Sequence, residues 1–385
     1  MIATVALTIL TLVGPRTGGS SEGQEVFRDA VKDGLWRVRG SVGGREGLYA
    51  LALGSSRTYV RAPLPDVENG AEVAVQVGGQ TLAPVPVWTA ELPAAPKEYA
   101  GVIGIGALRG RMIGFDLVRG EITIWLAATD GSVASGSVAD EWALRGEGEG
   151  KTVSLPLEAL PEGYRALRMK VGASERRLLL SSNTPTFELL RSVGTGATFW
   201  KTGENAAIEA HTGATSRSDS GVIGPLEIGG QKGPPIWGEL VEATELAEYP
   251  GDPEGLLPIQ SLPYERVVVD LVRDRVVAEP LSHGALTDRW LTGMLGFPLR
   301  IQGEQIRVAA SEWPGYRHAV NYAGDQVLEI GPLPALDVIR ATREFGSESL
   351  FVGATLSRLR RAPYVILLQQ HKAKYRLTVN PAPGR

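Results

Sequence analysis

Gly101 to Trp125 reads GVIGIGALRGRMIGFDLVRGEITIW, and Gly255 to Glu279 reads GLLPIQSLPYERVVVDLVRDRVVAE. Laid over each other without gaps, at an offset of 154 (255 less 101), Gly101, Ile105, Leu108, Asp116, Leu117, Val118 and Arg119 fall on Gly255, Ile259, Leu262, Asp270, Leu271, Val272 and Arg273. Each copy runs through an apolar turn, a short helical step, a strand, an Asp-Leu-Val-Arg turn and a second strand. Four identical residues alone would carry little. Embedded in one hydrophobic pattern, they argue for two similar lobes rather than two unrelated hairpins.

Outward from the repeats, residues 34–126 alternate strand patterns with turn signals. WRVRGSVGGREGLYALAL, from Trp36, predicts strand, Gly-Gly turn, strand, and AEVAVQVGGQTLAPVPVW, from Ala71, repeats that design. Residues 127–152 are rich in Gly, Ala, Ser and acid and predict a linker or a long surface loop. A second β-rich unit covers 153–282. A third, 283–385, ends in two strand-like runs, YVILLQQ and KYRLTVN. Residues 1–33 are a candidate signal segment and linker.

Composition narrows the function. A hydrophobic fraction of 43% and a charged fraction of 21% exclude wholesale disorder. Gly 48 and Pro 25, scattered among Val and Leu, favour short strands over long helices. A net charge of −4 with no basic stripe argues against a nucleic-acid partner. Cys 0 excludes disulfides, thiolate zinc sites and a cysteine nucleophile. His211, His283, His318 and His371 are isolated, so neither a metal nor another cofactor is expected. The apolar run Ile2–Val13 is too short to cross a bilayer, and no integral membrane span is expected. Its length suits a secretory h-region, but no basic n-region precedes it and no small-x-small site follows. Two readings stand: an exported protein, periplasmic or on the cell surface, or a cytoplasmic one with a buried first strand.

The two repeats resemble the closing part of a lobe in the pepsin/retropepsin-like aspartic protease family. There a hydrophobic-hydrophobic-Gly turn leads through a short helix to a hairpin with an Asp-x-x-Arg-Gly turn. The first copy supplies Val102-Ile103-Gly104 and Asp116-Leu117-Val118-Arg119-Gly120. The second supplies Leu256-Leu257-Pro258 and Asp270-Leu271-Val272-Arg273-Asp274, with Pro258 in the glycine position. The likeness covers roughly residues 34–282. It implies a mainly β chain with two pepsin-like β-barrel lobes, the acid-protease fold.

In that family each lobe gives one Asp from an Asp-Thr/Ser-Gly loop. Two adjacent carboxylates share a proton, and one serves as base on water while the other serves as acid. The resemblance puts these loops at Ala52-Leu53-Gly54-Ser55-Ser56 and at Ser181-Ser182-Asn183-Thr184. Ala52 and Ser181 then hold the dyad positions, and Gly54 and Asn183 the turn positions; Asn tolerates left-handed backbone better than most residues. A methyl group does not titrate, and a serine hydroxyl does so far above neutrality, so no catalytic residue is expected. Shifting the alignment by a residue or two changes nothing: no Asp or Glu occurs between Leu48 and Arg61 or between Arg176 and Phe187. Asp116 and Asp270 fit turn caps better than catalysts.

Residues 283–385 resemble a PDZ domain of the bacterial kind, an α+β module. The likeness rests on Gly293-Met294-Leu295-Gly296-Phe297, the following LRIQGEQIRVAAS, the core run Ala323-Gly324-Asp325-Gln326-Val327-Leu328-Glu329-Ile330, and the helix pattern PALDVIRATRE. It implies that Leu295, Gly296 and Phe297 form the loop whose N–H groups take a peptide carboxylate, with Val338 and Ile339 beside the pocket. The alternative is a small domain that only packs on the second lobe. Three functional expectations follow. The chain is a pseudoprotease that binds a peptide or protein segment in the inter-lobe cleft or the PDZ-like groove. Or it is a structural scaffold of a bacterial envelope assembly. Or it is a hydrolase without the acid pair, for which residue type alone suggests Ser181 with His211.

Overall fold

The computed structural model describes residues 17–18, 24–28, 30–32, 35–63, 67–92, 97–125, 142, 152–184, 186–195, 198–208, 215–310, 319 and 321–380. The run Ile2–Val13, the stretch 127–151 apart from Trp142, and His211 and His318 lie outside the described residues. The chain is mainly β, as the composition predicts.

Six strands close the first lobe into a barrel. Leu35–Val42, Arg45–Ala52, Tyr99–Gly104, Thr58–Arg61, Gln80–Ala90 and Ala71–Val77 follow one another, and the last pairs back onto the first. Val75, Val77, Leu82, Val85 and Val87 fill the barrel from alternate positions of its hairpin. The expected Gly-Gly turn joins the first two strands, and Gly43 and Gly44 both take positive φ (56° and 81°), as a tight two-residue hairpin needs.

The second lobe repeats the pairing at the same register. Arg45–Ala52 runs parallel to Tyr99–Gly104 with Ala52 opposite Gly104; Ser174–Ser181 runs parallel to Gly255–Pro258 with Ser181 opposite Pro258. Tyr59 opposes Val102, and Glu188 opposes Leu256. Thr58 opposes Val87, and Phe187 opposes Gly238. The repeat read from the sequence is therefore a repeat of hydrogen-bond topology. It also explains its own first residue. A Cβ on Gly101 would stand 2.1 Å from the Tyr59 carbonyl oxygen, and one on Gly255 would stand 2.1 Å from the Glu188 carbonyl oxygen.

The lobes share a central sheet that runs Thr17–Gly18, Gln24–Phe27, Glu121–Trp125, Met112–Asp116, Tyr264–Asp270, Arg275–Pro280 and Val153–Ala159, and continues from the last into the second lobe. Met112–Asp116 and Tyr264–Asp270 are antiparallel with Gly114 opposite Val268, which are equivalent positions of the two repeats. A pseudo-twofold axis thus passes between them. Strand Gln24–Phe27 lies within 1–33, the stretch read as a candidate signal segment and linker. Its alternate residues Glu25 and Phe27 are buried, Phe27 in the main core, and Thr17–Gly18 pairs on its outer side. On one face of the sheet Met112, Trp125, Trp142, Val268 and Val277 form a separate cluster. Asp116 and Asp270 cap their turns as expected: each Oδ1 accepts two N–H groups, from Val118 and Arg119 and from Val272 and Arg273.

The third segment forms its own sheet, in the order Leu299–Gln302, Gln305–Val308, Gln326–Ile330, Tyr364–Gln370, Ala373–Val379, with Leu333–Pro334 hooked onto Gln326–Ile330. Helices His283–Leu295, Ala335–Glu344 and Ser347–Leu359 accompany it. It is fastened to the second lobe. Val222 of that lobe belongs to its core, the Trp290 indole donates to the Pro235 carbonyl at 2.7 Å, and Arg358 and Arg361 donate to the carbonyls of Lys201 and Thr202.

Backbone cannot yield as a flexible side chain can. Gly101→Ala and Gly255→Ala are therefore each expected to destabilise the chain by about 1–3 kcal/mol. Alanine at the exposed Gly44, which has open space around it but positive φ, should act only through backbone strain of about 1 kcal/mol. Urea midpoints of the three variants test that order.

Candidate functional site: the junction between the lobes

The loops after strands Arg45–Ala52 and Ser174–Ser181 meet at the pseudo-twofold. The hydroxyl of Ser182 makes the contact. It donates to the Leu51 carbonyl at 2.6 Å and accepts the Leu53 N–H at 2.9 Å, both buried. Leu53 is the counterpart of Ser182, so the reciprocal hydroxyl is missing and the grip is one-sided. The four positions singled out from the sequence come together here. A Cβ on Gly54 would lie 2.8 Å from Ser181 Oγ and 3.1 Å from Asn183 Oδ1, and the Ala52 and Ser181 side chains are wholly buried.

Ser181 is consumed by its own loop. Its Oγ lies 3.1 Å from both Asn183 Oδ1 and Thr184 Oγ1 and accepts the Thr184 N–H at 3.2 Å. Ala52 adds a methyl. No acid stands at either position, so water cannot be activated here by a shared-proton pair. One carboxylate contact of the first loop is structural: Ser56 Oγ donates to Glu162 Oε2 at 2.7 Å, joining it to the second lobe. Gly104 is required by the first loop, because a Cβ there would sit 2.4 Å from the Arg57 carbonyl oxygen. The sequence reading did not single out Ser182; its signal was a hydroxyl directly after position 181.

A carboxylate group outside the sequence reading lies on the second lobe. Glu188 sits on the same strand pair as Glu239, at the same register. Glu239 accepts from Asn205 Nδ2 at 2.6 Å and from the Ser218 hydroxyl. Burial, reinforced by Glu239, Glu245 and Glu248, pushes Glu188 up to about 8. Tyr59, its counterpart on the first lobe, is pushed up mainly by burial, with Glu248 adding to it. Among the described residues no three His, Cys, Asp or Glu side chains are grouped to hold a metal ion. No described helix is long and apolar enough to cross a membrane.

The PDZ-type residues lie elsewhere than a carboxylate loop requires. Leu295 ends helix His283–Leu295, and Gly296 is its left-handed cap at φ 65°. The Gly296 N–H donates to the Thr292 carbonyl at 2.9 Å, so it is spent on closing the helix. Leu295, Phe297, Val338 and Ile339 are all buried in the third-segment core. The expected loop is replaced because Leu286, Trp290, Leu291, Met294 and Leu295 recur at helical spacing and face that core. The same helix also covers the adjoining strand edge. Asp288 Oδ1 accepts the Ile301 N–H at 2.7 Å, and Thr292 Oγ1 lies 3.4 Å from the Leu299 nitrogen. Two N–H groups that an added peptide strand would need are thereby engaged.

No family model matches this sequence, and no curated protein matches it as a relative.

Ser182→Ala would leave a buried N–H and a buried carbonyl without their bridging hydroxyl. It is expected to cost about 1–3 kcal/mol, and Ser182→Thr much less; denaturant melts check the order. Glu188 has a raised pKa in the folded chain, so its contribution is complete below the ordinary carboxylate pKa. It is lost as pH climbs toward about 8. Glu188→Gln should therefore leave the melting temperature unchanged below pH 4.5 and raise it progressively from there to pH near 8. A variant whose pH–stability profile parallels the wild type would contradict this.

Proposed function

We propose that this protein is a non-catalytic two-lobed relative of the pepsin/retropepsin-like aspartic proteases, with a PDZ-like third domain, and that it works by holding a protein segment between its lobes. The observation that carries the reading is the junction itself. The Ser182 hydroxyl bridges the two loops, yet the dyad positions hold Ala52 and Ser181. The scaffolding of an acid pair is retained without the acids. The matching register of the two lobes about the Gly114–Val268 pair supports the same class.

Holding an extended segment needs strand edges or a lined groove, not chemistry. Trp88 and Tyr59 lie side by side on the outer face of the first lobe, with ring centroids 6.4 Å apart, and Arg57 stands over the Trp88 ring at 5.0 Å. That half-exposed aromatic surface could pack against a bound chain. A second reading, a structural scaffold, is favoured by one specific observation: the third domain's strand edge is covered by its own helix. On either reading the setting would be a bacterial envelope if the apolar run Ile2–Val13 directs export.

Wild-type protein is expected to leave a peptide library intact at acid and neutral pH, while a statine-containing peptidomimetic binds it and raises its melting temperature. Cleavage that such an inhibitor stops would overturn the non-catalytic reading. Binding by neither the peptidomimetic nor any library peptide would favour the scaffold. Ala52→Asp combined with Ser181→Asp is expected to introduce slow cleavage in acid, because the two loops already meet.

A further inference from the structure

Helix His283–Leu295 reaches the second lobe through Trp290, which donates to Pro235, and through one cation, Arg289. The guanidinium of Arg289 is withdrawn from water, and burial pulls its pKa down to about 10. It donates to three backbone carbonyls, of Gln260, of Tyr264 at 2.9 Å and of Leu262 at 3.5 Å. A guanidinium offers five donors in a rigid fork, and a buried cation without acceptors is very costly. The turn Ile259–Ser261 and the helix are therefore bound to move together. Gln260 continues the line. Its Nε2 donates to the Thr184 carbonyl at 3.0 Å, and Thr184 belongs to the loop whose Ser182 hydroxyl grips Leu51 and Leu53.

The two repeats differ at this point in an informative way. Gly106 of the first lobe is the counterpart of Gln260, at the same offset of 154 (260 less 106), and has no side chain to reach its loop. Only the lobe that carries the third domain has the amide link and the arginine clamp. In the first lobe the equivalent loop carbonyl, of Ser55, takes the backbone N–H of Ile105 at 2.8 Å, so that turn holds its loop with no part of the third domain; the second lobe makes the link through a side chain on the turn that Arg289 clamps.

We propose that Arg289 and Gln260 act in series as positioning residues, through which the third domain sets the packing of the second-lobe loop at the inter-lobe junction. Arg289 fixes the turn, and Gln260 passes that position to Thr184 and so to the Ser182 contact with the first lobe. The coupling holds whatever occupies the junction, so it can fail while the proposed function stands, and the reverse.

The test is amide hydrogen exchange on the full-length chain, resolved at Thr184 and Leu53, with Ile113 of the central sheet as control. Gln260→Ala leaves the carbonyl that Arg289 uses and removes only the link. It is expected to speed exchange at Thr184 and Leu53 by about fivefold to tenfold, the worth of one hydrogen bond, with Ile113 unchanged. Arg289→Met should do the same and also speed exchange over 259–264. The double variant should add nothing further at Thr184 and Leu53, because the two act in one line. Wild-type exchange at Thr184 and Leu53 in Gln260→Ala would overturn the proposal. So would strictly additive effects in the double variant, or acceleration in Arg289→Met confined to 259–264. If Arg289→Met does not fold, Gln260→Ala decides alone.

Discussion

The antiparallel pairing of Met112–Asp116 with Tyr264–Asp270 is the constraint on which the two-lobed body depends. It joins equivalent strands of the two repeats and so fixes where every other equivalent pair lies. Its core is tight: a Cβ on Gly114 would come within 2.9 Å of both Trp125 and Trp142. One buried ion pair crosses it, Arg266 to Asp116 at 3.1 Å, with Arg266 also stacked over Trp142. The symmetric mate is not ionic. Asp270 faces Met112 across the axis and takes its cations from its own hairpin, Arg273 and Arg275. A buried carboxylate needs a partner from somewhere, and the two copies found different ones.

From that sheet outward, the copies diverge where function would reside. Leu53 stands against Ser182, Gly104 against Pro258, and Gly106 against Gln260. The first lobe keeps small residues that let its loop lie close to the turn. The second exchanges that freedom for side-chain bonds, and it is the lobe that bears the third domain.

The third domain is coupled, not tethered. Its first helix serves three masters at successive positions: Asp288 holds its own sheet edge, Arg289 holds the second lobe's turn, and Trp290 donates to Pro235. A helix so engaged on several faces is a brace, and rotating it would break contacts on every side at once.

The sequence by itself determined the duplication, the mainly β character, the Gly-Gly hairpin and the absence of acids at positions 52 and 181. These are local or periodic properties: strand alternation, turn residues with positive φ, and side chains that cannot titrate. It misread Gly293-Met294-Leu295-Gly296-Phe297, because a short glycine-flanked apolar run is equally a loop or a helix end. Burial of Leu291, Met294 and Leu295 against a core built from distant strands chose the helix. Only the tertiary structure could reveal the Ser182 bridge, the raised pKa of Glu188 and the Arg289–Gln260–Thr184 line. Each depends on groups separated by tens to more than a hundred residues along the chain, brought into contact by the packing of whole lobes, and no window of sequence contains that distance.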